Sequence, residues 1–348
     1  MGGAEKMLCD IVSTGVGADR WDYEVLIVND LFNEHLIDII RKTGAPLHLL
    51  RRPPGSKNPL HLLRTMKLLW SIKPSVCHCH EFHSLAWAKL SSFLFFRPKL
   101  FLTVHNTTTF RNQGSRKTAV MGAIADRIVA ISQSVEKECL DHGMRNVSRV
   151  YNGIDLARYR RPDQRPAATG LSIICVGRLS IPTKGHDTLI EAVAKCHQAG
   201  IDYRITFVGT ESLAEPGVEQ KLRSLAQKYG LEAKVSFLGN RQDIPDLLAQ
   251  SDLFVLPSRR EGFGLALVEA MAAGLPVVAS DIDGPREILE DGKYGLIFKA
   301  GDASSLADAL TELHKIPQLR HSLAELGRNR AELYSIDNTV LGYEALYD

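Results

Sequence analysis

The segment Ser258-Arg-Arg-Glu-Gly-Phe-Gly-Leu-Ala-Leu-Val-Glu-Ala270 sets two carboxylates, Glu261 and Glu269, around a glycine pair. It follows the apolar run Leu253–Leu256 and leads into a helical pattern that ends near Gly274. Gly262 and Gly264 allow the backbone to approach a ligand closely. The start of a helix offers free N–H groups and a partial positive charge to an anion. Glu261 falls in the loop ahead of that helix, and Glu269 about two turns along it. Ionised carboxylates only accept hydrogen bonds, so they read hydroxyl groups. The arrangement suits a ligand with hydroxyls at one end, a diphosphate in the middle and a ribose beyond. The plainer alternative makes Glu269 a surface charge and gives the glycines a packing role.

A second constellation is Gly177-Arg-Leu-Ser-Ile-Pro-Thr-Lys-Gly185. It follows the run Leu171–Val176, so Arg178 and Lys184 flank a strand tip. A guanidinium fork and a mobile ammonium make a diphosphate clamp, and they stabilise a diphosphate as it leaves. Alone, they read as two exposed loop cations. Gly2-Gly3 open an amphipathic helix and bring amides to its start, a weak signal in isolation. In Leu102-Thr-Val-His-Asn-Thr107, His105 emerges where a strand runs into a polar loop. A lone histidine of this kind is more often structural.

Other patterns fail on inspection. Asp281-Ile-Asp283 resembles a metal-binding Asp-x-Asp, but it follows a buried strand and reads as a loop. In Cys77-His-Cys-His80-Glu-Phe-His83, strand alternation sends Cys77 and Cys79 to one face and His78 and His80 to the other. Neither is expected to hold a metal. A dinucleotide fingerprint, a P-loop, a nucleophile elbow and His-Glu-x-x-His are all absent from the sequence.

The elements that must position these residues follow from the apolar pattern. Strands are expected at Tyr23–Val28, Pro46–Leu50, Val76–His80, Leu100–Val104 and Arg127–Ile131, and again at Leu171–Val176, Tyr203–Val208, Lys234–Leu238, Leu253–Leu256 and Pro276–Ala279. Between them lie helical stretches such as Leu60–Ser71, Ser132–His142, Asp187–Ala199, Glu219–Tyr229 and Phe263–Ala273. Continuous apolar strands alternating with helices mean α/β, with parallel sheets covered on both faces. Two such series mean two doubly wound domains, which the length of 348 residues accommodates. The polar, proline-bearing stretch from Ala157 to Gly170 reads as the linker. The expected domains are 1–157, together with the last helix 336–348, and 158–335. In open α/β sheets ligands bind at the carboxyl ends of the strands, so two facing sheets would hold a substrate in the cleft between them.

Net charge is only +2, from 42 basic and 40 acidic residues, which argues against a nucleic-acid binder. Basic stretches at Arg51-Arg52, Arg111 to Lys117 and Arg158 to Arg165 read either as solvated loops or as a contact for an anionic acceptor or an anionic membrane surface. Six scattered cysteines imply no disulfide framework. With no secretory signal and no apolar run long enough to span a bilayer, a cytoplasmic location, peripheral at most at the inner face of the membrane, is expected.

Together, and in this order, these constellations resemble glycosyltransferase family 4, the retaining enzymes of the GT-B fold. The most specific match is the pair Glu261 and Glu269 with seven residues between them. Supporting matches are Gly-Gly-Ala-Glu-Lys at the start, Tyr-Asn-Gly-Ile-Asp at 151–155, Gly-Arg-Leu…Lys-Gly at 177–185 and Ser-Asp-Ile-Asp-Gly-Pro-Arg-Glu at 280–287. The resemblance implies a sugar transferase that uses a nucleotide-sugar donor, a UDP-sugar first and GDP-mannose next. It implies a glycan or lipid-linked acceptor, as in surface polysaccharide synthesis. Glu261 would hold donor hydroxyls and Glu269 the ribose. Arg178 and Lys184 would hold the diphosphate, with the amides of Gly262, Phe263, Gly264 and Leu265 lining the pocket. His105 would sit beside the transferred sugar, and Gly3 would approach the donor phosphate. No metal or other cofactor is implied. The last helix would cross back onto the N-terminal domain. Family members open with a strand ahead of the Gly-Gly loop, whereas here the glycines follow Met1. The first N-terminal strand is thus expected to be missing, and a chain begun at Met1 to be poorly folded or inactive in that half. Two rival readings remain: an epimerase or phosphorylase of the same fold, and a non-catalytic sugar-nucleotide-binding subunit.

Overall fold

The computed structural model describes residues 3–18, 20–30, 34–92, 96–105, 114–160, 171–212 and 215–348. Gly2, Asn106, Thr107 and most of the expected linker, 161–170, lie outside them. The chain divides into two compact units, one of residues 1–154 with 335–348, the other of residues 155–334.

In the first unit the strands are β1 (Val25–Asn29), β2 (Leu47–Arg52), β3 (Val76–Cys79), β4 (Lys99–Val104), β5 (Arg127–Ala130) and β6 (Val147–Arg149). They form two parallel sheets, β1-β2 and β3-β4-β5-β6. The first described element is the helix Gly3–Ala18, which serves both sheets. Met7 and Ile11 join Phe101, Val129 and Tyr343 in one cluster. Cys9 and Val12 pack with Val25, Leu36 and Ile40 in another. Residues on opposite sides of one helix thus tie the two sheets together. Among the described residues no strand pairs with the second edge of β1 or of β3. Both strands are largely half-buried, whereas β4 is buried from Leu100 to Val104.

The helix Ile336–Tyr347 belongs to this first unit, although it ends the sequence. Ser335 caps it by accepting from the Asn338 N–H at 3.1 Å. Tyr343 and Tyr347 complete the core beside Phe101. Tyr23 donates to Glu344 at 3.0 Å.

The second unit holds β7 (Leu171–Val176), β8 (Tyr203–Val208), β9 (Val235–Phe237), β10 (Leu253–Leu256), β11 (Val277–Ser280) and β12 (Leu296–Phe298). Their order is β12-β11-β10-β7-β8-β9, and all the pairs are parallel. The chain winds outward from β7 through β9, then returns to β10 on the other side of β7. The switch point therefore lies between β7 and β10, where loops leave in opposite directions and open a crevice. Strand β10 is buried along its whole length, as a strand covered on both faces must be.

Candidate active site

The loops leaving β7 and β10 at the switch point are the two constellations singled out from the sequence, and they are bonded to each other. The backbone N–H groups of Arg259 and Arg260 both donate to the Thr183 carbonyl, at 2.8 and 3.1 Å. Arg259 forks onto Asp187 at 2.7 and 2.9 Å and reaches Thr188 Oγ1 at 3.0 Å. Gly185 lies flush against Pro257: a Cβ there would sit 2.1 Å from the Pro257 carbonyl oxygen.

This joinery brings Lys184 and Glu261 into direct contact, the Lys184 ammonium donating to Glu261 Oε2. Ser258, fully buried, donates to the same carboxylate oxygen at 3.3 Å. Both partners remain partly accessible to solvent. Arg178 is exposed just beyond β7 and forms no ion pair among the described residues.

The helix of the β10 loop is Leu265–Ala272. It begins two residues later than the apolar pattern suggests, because Gly264 takes φ +110 and cannot be helical. No side chain caps this helix, so its first turn is left to an outside acceptor. Glu261 folds close to this turn: a Cβ on Gly264 would lie 3.6 Å from its Cγ. Glu269 sits little more than one turn into the helix, not two. It is only 7% exposed, which removes the reading as a surface charge. The Phe263 ring is buried against Tyr334, with centroids 5.4 Å apart, so the ring serves packing. The β11 loop closes on the same place, since Gly284 abuts the Phe263 carbonyl. Within that loop Asp281 pairs with Arg286 at 3.1 Å.

In the first unit, Gly3 is the first residue of its helix, and His105 follows β4. His105 Nε2 shares a 3.0 Å hydrogen bond with His80 Nδ1. His80 stacks on His78, whose two nitrogens meet Thr103 Oγ1 and Tyr347 Oη, each at 2.7 Å. Alternation along β3 puts both histidines on one face. Burial lowers the pKa of His105 to about 4 and that of His78 to about 3. It also holds His80 well below the ordinary histidine value. These imidazoles are neutral at neutral pH.

Sequence reasoning missed Asp187, Ser258, Arg259 and His186. His186 is buried with its ring against Phe207, and its Nδ1 donates to the Ser180 carbonyl at 3.1 Å. Burial takes its pKa down to about 4.

Comparison with known proteins agrees with this architecture. Residues 160–330 match the model of the glycosyl transferases group 1, and residues 1–158 that of Glycosyltransferase Family 4. A phosphatidyl-myo-inositol mannosyltransferase of Mycobacterium leprae is 35% identical over 192 residues, 54% of this chain and 47% of that protein. The lipopolysaccharide core biosynthesis mannosyltransferase LpsB of Rhizobium meliloti is 30% identical over 210 residues, 57% of this chain and 60% of its own. The chain thus spans about half the length of the curated relatives it matches. The crystal structure of Anabaena Alr3699/HepE in complex with UDP-glucose superposes with a TM-score of 0.84 at 24% identity, covering 99% of this chain and 96% of that one.

Proposed function

The chain belongs to the group 1, family 4 glycosyltransferases of GT-B type, and we propose that it moves a sugar from a nucleotide-sugar donor to a glycan or lipid-linked acceptor with retention of anomeric configuration. The observation that carries this reading is the contact of the two loops at the β7–β10 switch point, which sets Lys184 against Glu261 beside an uncapped helix start.

In this reading Arg178, Lys184 and the first amides of the helix Leu265–Ala272 hold the donor diphosphate, without a metal. The Gly262 to Leu265 backbone lines the pocket. Glu269 binds the ribose hydroxyls. Glu261 exchanges its ammonium partner for hydroxyls of the transferred sugar. His105, held neutral, donates or accepts one hydrogen bond beside that sugar, and Gly3 approaches the phosphate. The bond from the anomeric carbon to the leaving phosphate breaks through an oxocarbenium-like state. The acceptor oxygen bonds to the same face of that carbon, and its proton passes to the departing phosphate. Cations fixed at the leaving group stabilise charge as it develops.

The UDP-glucose held by the Anabaena protein supports a UDP-sugar as donor. The two mannosyltransferase relatives make GDP-mannose the next choice. The names of these two relatives support a surface-glycan or lipid-linked acceptor.

A thermal-shift screen across nucleotide sugars tests the reading. A donor at a hundredfold its Kd adds about 2.7 kcal/mol of stability. Glu269→Gln should abolish most of that shift. Glu261→Gln should keep much of it while slowing transfer to acceptor. Donor turnover without acceptor, or two variants indistinguishable from the parent, would overturn it.

A further inference from the structure

The imidazoles of His78, His80 and His105 stand in a row towards the carboxyl edge of the sheet β3-β4-β5-β6, and the reaction described above uses only the last of them. The β3–β4 register sets Cys79 against Leu102. His80 therefore falls opposite Thr103, and His105 comes two residues further along β4 on the same face. The His80 ring lies between the other two. Its centroid is 4.9 Å from that of His78 and 5.3 Å from that of His105, with interplanar angles of 18° and 22°. His78 is the anchored end of the row, since both its nitrogens are hydrogen-bonded, to Tyr347 Oη and Thr103 Oγ1.

The link from His80 Nδ1 to His105 Nε2 joins two neutral rings. A neutral imidazole has one N–H and one lone pair, so one ring must donate and the other accept. If His80 donates, His105 carries its proton on Nδ1. If His105 donates, its Nδ1 is a bare acceptor. Either way the bond assigns one role to His105 Nδ1, whereas a ring without it exchanges both. Among the described residues neither His80 nor His105 has a further hydrogen-bond partner, so no other group fixes this choice. A carboxylate in the place of His80 would also orient His105, but it would favour the positively charged ring. Beside a sugar that gains positive character as its bond to phosphate breaks, an imidazolium would oppose the developing charge. An uncharged partner orients the ring without that cost.

We propose that His80 is a positioning residue, whose bond to His105 Nε2 locks that ring in one tautomer and orientation and so fixes how His105 Nδ1 meets the transferred sugar. The proposal rests on the reading of His105 as the residue beside that sugar.

Imidazole nitrogen NMR spectra of the full chain at neutral pH read the tautomer, with His105→Gln identifying the His105 signals. The parent should show His105 as a single neutral tautomer. His80→Phe keeps a flat ring in the stack but removes the bond, and should show the averaged signals of two exchanging tautomers. Calorimetry reads the consequence, with UDP-glucose and GDP-mannose each compared with its free nucleoside diphosphate. For the donor that the parent binds, His80→Phe should weaken the nucleotide sugar roughly fivefold, the worth of one hydrogen bond, and leave the free diphosphate unchanged. His80→Asn, whose amide stands close to the lost Nδ1, should recover most of that affinity. Thr103→Val, which loosens the same core through His78, should match the parent in both readouts. A single tautomer retained in His80→Phe would overturn the proposal, as would equal weakening of the free diphosphate or the same changes in Thr103→Val. A parent that binds neither nucleotide sugar would count against the transferase reading instead, and the spectra would then decide the role of His80 by themselves.

Discussion

Gly185→Ala probes the joint between the two site loops. Gly185 ends one short helix, begins the next and holds φ +63. An alanine in that left-handed conformation costs roughly 1–2 kcal/mol. Its Cβ would also lie 2.1 Å from the Pro257 oxygen and 3.2 Å from the Pro257 carbonyl carbon. Both are backbone atoms, so no side-chain rotation relieves the overlap, and the loop after β10 must move away by more than 1 Å. That movement stretches the bonds from the Arg259 and Arg260 N–H groups to Thr183, worth about 1 kcal/mol each. The expected loss is about 3–4 kcal/mol. Gly200→Ala is the matched control, with φ +80 and open space within 4 Å of the new Cβ. It carries the conformational cost alone, about 1–2 kcal/mol. Urea unfolding of both variants measures the difference, and the donor-induced thermal shift reports on the site. Gly185→Ala should lose more stability than Gly200→Ala and most of the donor response. Equal losses, or a normal donor response in Gly185→Ala, would refute the idea that this contact assembles the site.

Three further outcomes are expected. Arg259→Lys keeps the charge but loses the fork onto Asp187, so urea unfolding should show a loss of about 1–3 kcal/mol, with a weaker donor response. Folded-state pKa values lowered to about 4 at His105 and about 3 at His78 mean that the unfolded chain binds more protons below about pH 6.5. Their contribution is complete above that pH and declines as pH falls towards the folded-state values. Urea midpoints taken from pH 7.5 down to 4.5 should fall less steeply in His78→Gln than in the parent. Thr103→Val removes the partner of His78 Nε2 and leaves a buried ring nitrogen unpaired, for a loss of about 1–3 kcal/mol in the same assay.

The strands with the clearest apolar runs were legible in the sequence: Leu171–Val176 and Tyr203–Val208 fall where the pattern puts them. The strands β6 and β12 were not, because each is three residues long and partly exposed, leaving too little pattern to read. At the site, Glu261 and Lys184 stand out by type and setting, but they are 77 residues apart in the chain. Their contact follows from the strand order, which no local window contains. The pairing of Asp187 with Arg259 depends on the same order. The shared face of His78 and His80 was readable from alternation, whereas the bond from His80 to His105 needs β3 beside β4. Glu269 was recognised by spacing, yet its burial depends on packing around a helix whose start Gly264 displaces.

The return of the last helix to the first unit has a consequence for how the protein is made. Ile336, Val340, Tyr343 and Tyr347 fill a core whose other buried side chains come from residues 7 to 150. Between them lie residues 155–334, the whole of the second unit. At the roughly 5–20 residues per second of synthesis, the first unit waits about 9–36 seconds for its closing helix. During that interval Phe101 and Val129 lack their tyrosine cover, and Glu344 is not yet there to meet Tyr23. The second unit draws its core from its own residues and is free to fold first. The order of completion is therefore the reverse of the order of synthesis, and a nascent chain stalled before Ser335 would expose an unfinished apolar surface.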